Sequence, residues 1–175
     1  MKIKRVVILV LVAMMVFTTG QAIVNPATAN AAGRTIRQFP KALRGTWYTY
    51  NQHHLYRLKI AATVITDNDG RTIHLHSRKL SSYPKPGTKA THPTWVTGLN
   101  FTNQKEKWTQ VYGWYQTAGA GDLYRVAHYK IHGKKTPVLQ VASGAGIWTD
   151  VHGFHSKSLA RHYTHKHFRG ERYRN

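Results

Sequence analysis

The sequence predicts an all-β fold: one antiparallel meander of eight strands closing into a barrel, with a β-sandwich as the alternative. Three observations predict it. Short runs alternate apolar and polar residues with period two and are rich in Thr, Tyr, Trp and Val. Turn-forming residues recur between those runs. No long segment carries a convincing 3.6-residue period. Barrel closure would also remove the exposed strand edges that invite aggregation.

Taken in order, the chain opens on a positive stretch (Lys2, Lys4, Arg5), an apolar run over 6–17, and small residues ending in Ala29-Asn30-Ala31. This is the pattern of a cleavable secretory signal over 1–31, cut after Ala31 or alternatively after Ala29. The apolar run is shorter than the roughly 20 residues a membrane helix needs. Residues 32–42 read as a linker, 43–155 as the β-barrel domain and 156–175 as a basic C-terminal segment rich in His and aromatics. Strands are expected over 45–50, 55–66 and 71–79, the last two joined by the turn Asp67-Asn68-Asp69-Gly70. Leu58, Ile60, Ala62 and Val64 would line one side of the second strand. A loop over 81–93 follows, since Pro84, Pro86 and Pro93 exclude a central strand. Further strands are expected over 94–102, 107–116, 122–132, 136–142 and 147–155, with Trp95, Thr97, Leu99 and Phe101 on one face of the first. Residues 115–121 and 140–146 echo each other and read as two equivalent glycine turns.

Charge is the strongest compositional feature. The chain holds 26 Lys and Arg against six Asp and Glu. Removing the three cations of the leader leaves 23, a formal +17, and protonating all twelve His would raise this to +29. Such a surface favours polyanions: teichoic acid, acidic polysaccharide and, less favoured, a membrane surface or nucleic acid. The absence of Cys excludes a disulfide scaffold and a Cys nucleophile.

Gly45-Thr46-Trp47 at the head of the first strand resembles the opening motif of lipocalins and the wider calycin group. That resemblance implies an eight-stranded up-and-down barrel whose floor the tryptophan plugs, with Arg161 packed against it and a small apolar ligand inside. Arg44-Gly45-Thr46-Trp47-Tyr48, residues 113–122 (GWYQTAGAGD) and residues 142–148 (ASGAGIW) resemble a family of small exported proteins of lactic acid bacteria with no established activity. This second resemblance covers most of the chain after the leader. It implies an acidifying Gram-positive cell surface and no catalytic residues.

Candidate site residues fall into three groups. Lys157, Arg161, Lys166, Arg169, Arg172 and Arg174, interleaved with Tyr163, Phe168 and Tyr173, suit an anionic polymer, with charge following the backbone and rings stacking. A frayed, solvated tail is the plainer reading. His162, His165 and His167 are weak candidate metal ligands, and His74, His76 and His128 a candidate cluster. Trp47, Trp95, Phe101, Trp108, Tyr112, Trp114, Trp148 and Phe154 are candidates for lining a cavity, or else ordinary core. Catalysis has little to draw on: six scattered acids, no nucleophile elbow and no phosphate-cradling loop. No cofactor is expected. The functional expectation is therefore a secreted, non-enzymatic surface protein that binds anionic polymers, more strongly in acid. The alternatives are a calycin-like carrier of an apolar ligand and a cationic antimicrobial or nucleic-acid-binding factor.

Overall fold

Runs of β-branched and aromatic residues form nine strands in the computed structural model, which describes residues 34–82 and 84–174. The expected leader lies outside the described residues. The strands are β1 Gly45–Asn51, β2 His54–Ile60, β3 Val64–Thr66, β4 Thr72–Leu75, β5 Trp95–Asn103, β6 Glu106–Gly113, β7 Asp122–Ile131, β8 Lys134–Ser143 and β9 Trp148–Gly153. They pair in sequence order as one meander sheet that nearly closes into a barrel. The all-β meander is thus as the sequence predicts, with two differences in detail.

First, the expected strand over 55–66 is two strands. Ala61 N–H donates to Val64 O, and the chain reverses between β2 and β3. Phe39 N–H holds Ala62 O and Leu75 N–H holds Thr63 O, so tertiary partners stabilise a turn that has no Gly, Pro or Asn to announce it. The reversal moves Ile65, rather than Ala62 or Val64, into the core beside Leu58 and Ile60. Second, β4 and β5 pair in parallel, through His74 N–H to Thr94 O and His76 N–H to Val96 O, because the proline-bearing connection carries the chain back to its starting end.

The main core holds Trp47, Ile60, Ile65, Leu75, Val96, Val111, Tyr124 and Leu139. Ile36, Phe39 and Leu43 belong to the same cluster. The expected linker is therefore a structural element: Thr35 pairs with Arg78, and a short 3-10 helix, Lys41–Leu43, leads into β1. Trp95, Thr97, Leu99 and Phe101 share a face as expected, and both faces of β5 are buried in part: Thr97 and Phe101 on one, Val96 and Gly98, where Ile36 packs, on the other.

The barrel closes at one residue pair. Tyr48 and Phe154 exchange N–H···O bonds of 2.7 and 2.9 Å. Side chains satisfy the edge on either side: His155 Nδ1 lies 2.8 Å from Thr46 O, and Tyr50 N–H donates to Thr164 Oγ1. His155 also stacks on Trp47 at 3.8 Å, taking the place expected for Arg161, which is exposed. Gly45 admits this ring; its φ is +133°, and a Cβ there would meet His155 at 3.2 Å.

The glycine-rich motifs are turn chemistry. Gln116 accepts from Gly113 N–H and donates to Ala118 O, stapling the turn after β6. At Gly121, φ is +63° and a Cβ would lie 2.2 Å from Val111 O. Replacing Gly121 with alanine is expected to cost roughly 3 kcal/mol or more, combining backbone strain with overpacking. Gly119→Ala, whose Cβ would meet Gln116 Nε2 at 3.5 Å, should cost only about 1–2 kcal/mol. Urea midpoints distinguish the two; equal losses would mean that the approach to Val111 is unimportant. Trp148 lies against Gly144 and Gly146, where a Cβ would come within 2.8 and 2.5 Å of its ring. The two echoing segments are both strand-to-strand turns, although their glycines serve different neighbours.

Candidate anion-binding face and its buried anchor

The segment after β9 is an ordered cover rather than a frayed tail. Ser156 caps the helix α1, Lys157–Tyr163, by accepting from Leu159 N–H. Leu159, Ala160 and Tyr163 face a second core of Ile131, Val138 and Phe154, joined further along by Phe168. Beyond the helix the chain returns over β7–β9. Arg172 O accepts from Thr149 N–H at 2.7 Å, and Thr164 Oγ1 donates to His152 O. Because of this cover, Val138 and Gln140 are buried on one face of β8 while Leu139 is buried on the other.

Beneath the cover lies a polar network centred on Glu171, whose side chain is 0% exposed. Its carboxylate accepts from Tyr129 OH, from Tyr173 OH at 2.6 Å, from Thr149 Oγ1 at 3.1 Å and from His152 Nε2 at 2.7 Å. Burial alone would raise the Glu171 pKa, but these hydrogen bonds and the charge of His152 outweigh it and hold the pKa below the ordinary carboxylate value. Burial and hydrogen bonding to Glu171 push both tyrosines upward, keeping them donors. The other ring nitrogen of His152 lies 3.0 Å from Thr164 O. The ring is thus held between a carboxylate and a backbone carbonyl. Arg125 completes the network by binding Gln140 and Glu106 and lying over Trp108 at 5.0 Å.

This geometry separates the two halves of the expected binding element. Phe168 stacks on Tyr129 at 4.0 Å, Tyr173 serves Glu171, and Tyr163 packs inward, so the rings are structural rather than open stacking platforms. Lys157, Arg161, Lys166, Arg169, Arg172 and Arg174 are all exposed. Arg174 lies over Trp148 at 5.4 Å, bonds Ser143 Oγ and stands 4.0 Å from Asp150.

The same division holds across the molecule. All but Arg34, Arg44, Arg78 and Arg125 of the 23 cations after residue 31 are exposed. Three of the six acids, in contrast, are drawn into the fold, whereas Asp69 and Asp150 are exposed and Asp67 lies in a surface turn. Glu171 is enclosed, and Glu106 pairs with Arg125. Burial raises the pKa of Asp122, which also accepts from Tyr124. Asp150 faces Arg174, and Asp67 binds the backbone of its own turn.

The eight aromatics considered for a cavity do not share one. Trp47 is in the main core, Phe154 in the second, and Phe101 and Trp108 in a third with Leu123 and Ala142. Tyr112 is half-buried against Gly121. His76 and His92 stack on Trp95 at 3.7 and 3.8 Å, and Trp114 meets its edge. His92 thus fills the place expected for His128, which lies on β7 opposite Pro137. Burial, then the nearby His74 and His92, lower the His76 pKa. Among the described residues no group of three or more His, Asp or Glu is placed to hold a metal. His162 is on α1 against Ser158 O, apart from His165 and His167. Those two, with Asp150, His152, Tyr173 and Arg174, line a cleft of about 270 Å³ between β9 and the C-terminal cover. The Glu171 network was not legible in the sequence: Glu171 is the lone acid of a basic stretch, and that isolation was its only signal.

No protein-family model, curated protein or solved structure matches the chain.

Proposed function

We propose that the protein is an exported, non-enzymatic binding protein that adheres to anionic polymers of a cell surface, teichoic acid or acidic polysaccharide, and does so more firmly in acid. The observation that carries this reading is the uneven sorting of charge: 19 of the 23 cations after residue 31 are exposed, while Glu171, Glu106 and Asp122 are drawn into the fold. The leader pattern and the likeness to exported proteins of lactic acid bacteria support the location. The exposed cations of the C-terminal cover form the adhesive face, held in place by inward-facing Tyr163, Phe168 and Tyr173.

Six phosphate contacts would make affinity for a flexible phosphodiester polymer fall by about 2.5 decades between 50 and 200 mM salt. Lys166→Gln, Arg169→Gln and Arg172→Gln together should reduce the slope of log affinity against log salt by about 2. Retention on isolated cell walls that is unchanged at high salt overturns the reading.

A further inference from the structure

We infer that the cleft between β9 and the C-terminal cover is a phosphate-binding subsite, and that its two histidines make binding stronger in acid. The inference rests on the polyanion reading and assigns its acid response to one place.

The cleft, at about 270 Å³, is smaller than the usual drug-sized pocket and suits a compact head group or a single polymer unit. Two of its donor-bearing side chains are held in place by neighbours. His167 stacks on Tyr173 at 3.8 Å with an interplanar angle of 13°, which sets its plane, and among the described residues its nitrogens have no hydrogen-bond partner. Tyr173 is itself fixed by its bond to Glu171 and by accepting from Phe168 N–H. His165 is exposed at the same cleft. Arg174 gives one N–H to Ser143 and retains others.

Charged groups on every side are accounted for. From the cover come Arg174, His165, His167 and Glu171; from β9 come Asp150 and His152; from β7 comes the buried Asp122 behind Asp150. Glu171 is hydrogen-bonded to His152 at 2.7 Å, and Asp150 stands 4.0 Å from Arg174. Protonating His165 and His167 adds two charges and two further N–H donors at the cleft, which suits an anion with several acceptor oxygens. Lys and Arg on the remaining surface do not change in this range.

The test uses dimethyl phosphate as the probe, a phosphodiester that stays a monoanion throughout, titrated into the purified protein at pH 7.0 and 5.5 at constant ionic strength. Imidazole resonances are followed by NMR. Affinity is expected to rise roughly tenfold at the lower pH, as two screened charges and their donors are added. His165→Ala with His167→Phe, which keeps a ring on Tyr173, should abolish that gain without changing thermal stability. His74→Ala with His92→Ala should retain it. A gain that survives the first double variant, or the absence of any gain, overturns the subsite. Salt-sensitive wall retention with no acid-dependent phosphate binding leaves the polymer reading standing alone. Acid-dependent phosphate binding in the cleft with salt-insensitive retention does the reverse.

Discussion

Replacing Glu171 with alanine should lower stability by roughly 3–5 kcal/mol, the usual cost of removing one partner from a buried ion pair. For a domain of this size that is a fall in Tm of roughly 6–20 °C. The cost arises because four donors converge on one carboxylate: His152, Tyr129, Tyr173 and Thr149 would be left facing one another, and Arg125 would lose its nearest inner charge. Glu171→Gln keeps the volume and isolates the charge. Since the folded pKa is below the ordinary value, the wild-type carboxylate contributes its stability fully above about pH 5. It loses that contribution as pH falls through the folded pKa. The glutamine variant should therefore be less stable at pH 7, by a margin that shrinks as pH falls from 5 toward the acid limb. Urea midpoints across that range check this, and parallel acid limbs for the two proteins would contradict it.

Trp47→Ala is expected to cost about 3–5 kcal/mol, combining lost burial with the cavity left behind. The ring is fully buried, donates its indole N–H to Leu43 O at 2.8 Å and carries His155 on one face. Trp47→Phe retains most of the packing and leaves Leu43 O unpaired, so about 1–2 kcal/mol is expected. His155→Ala, an exposed ring, should cost about 1 kcal/mol. This ordering tests whether the floor of the barrel is a packed plug. If alanine costs no more than phenylalanine, the tryptophan is not what closes that end.

Several elements were legible because their signals are local. The Asp67–Gly70 turn, where Asp67 accepts from two backbone N–H groups, follows from residue types that tolerate tight reversal. Five strands from β5 to β9 begin and end within a few residues of their expected bounds, since alternation and glycine turns mark them. The break between β2 and β3 was not legible, because hydrogen bonds from Phe39 and Leu75 impose it from a distance. The anchoring of residues 34–43 was hidden for the same reason: Ile36 and Phe39 look like isolated apolar residues until β5 and the β2–β3 turn come to meet them.

The site divides along the same line. Exposure of the six C-terminal cations follows from the high cost of burying unpaired charge, so composition alone determined that they would face outward. The sequence likewise determined an all-β chain with a large cationic excess, through periodicity and residue type. Only the tertiary structure decided that Glu171 would become the buried anchor, that His155 would cap Trp47, and that His165 and His167 would meet Arg174 at one cleft. The first and last of these follow from the return of the C-terminal chain across β7–β9, and the second from closure of the barrel at Tyr48 and Phe154. Local residue chemistry specifies what a side chain can bond, whereas the path of the backbone specifies which partner is within reach.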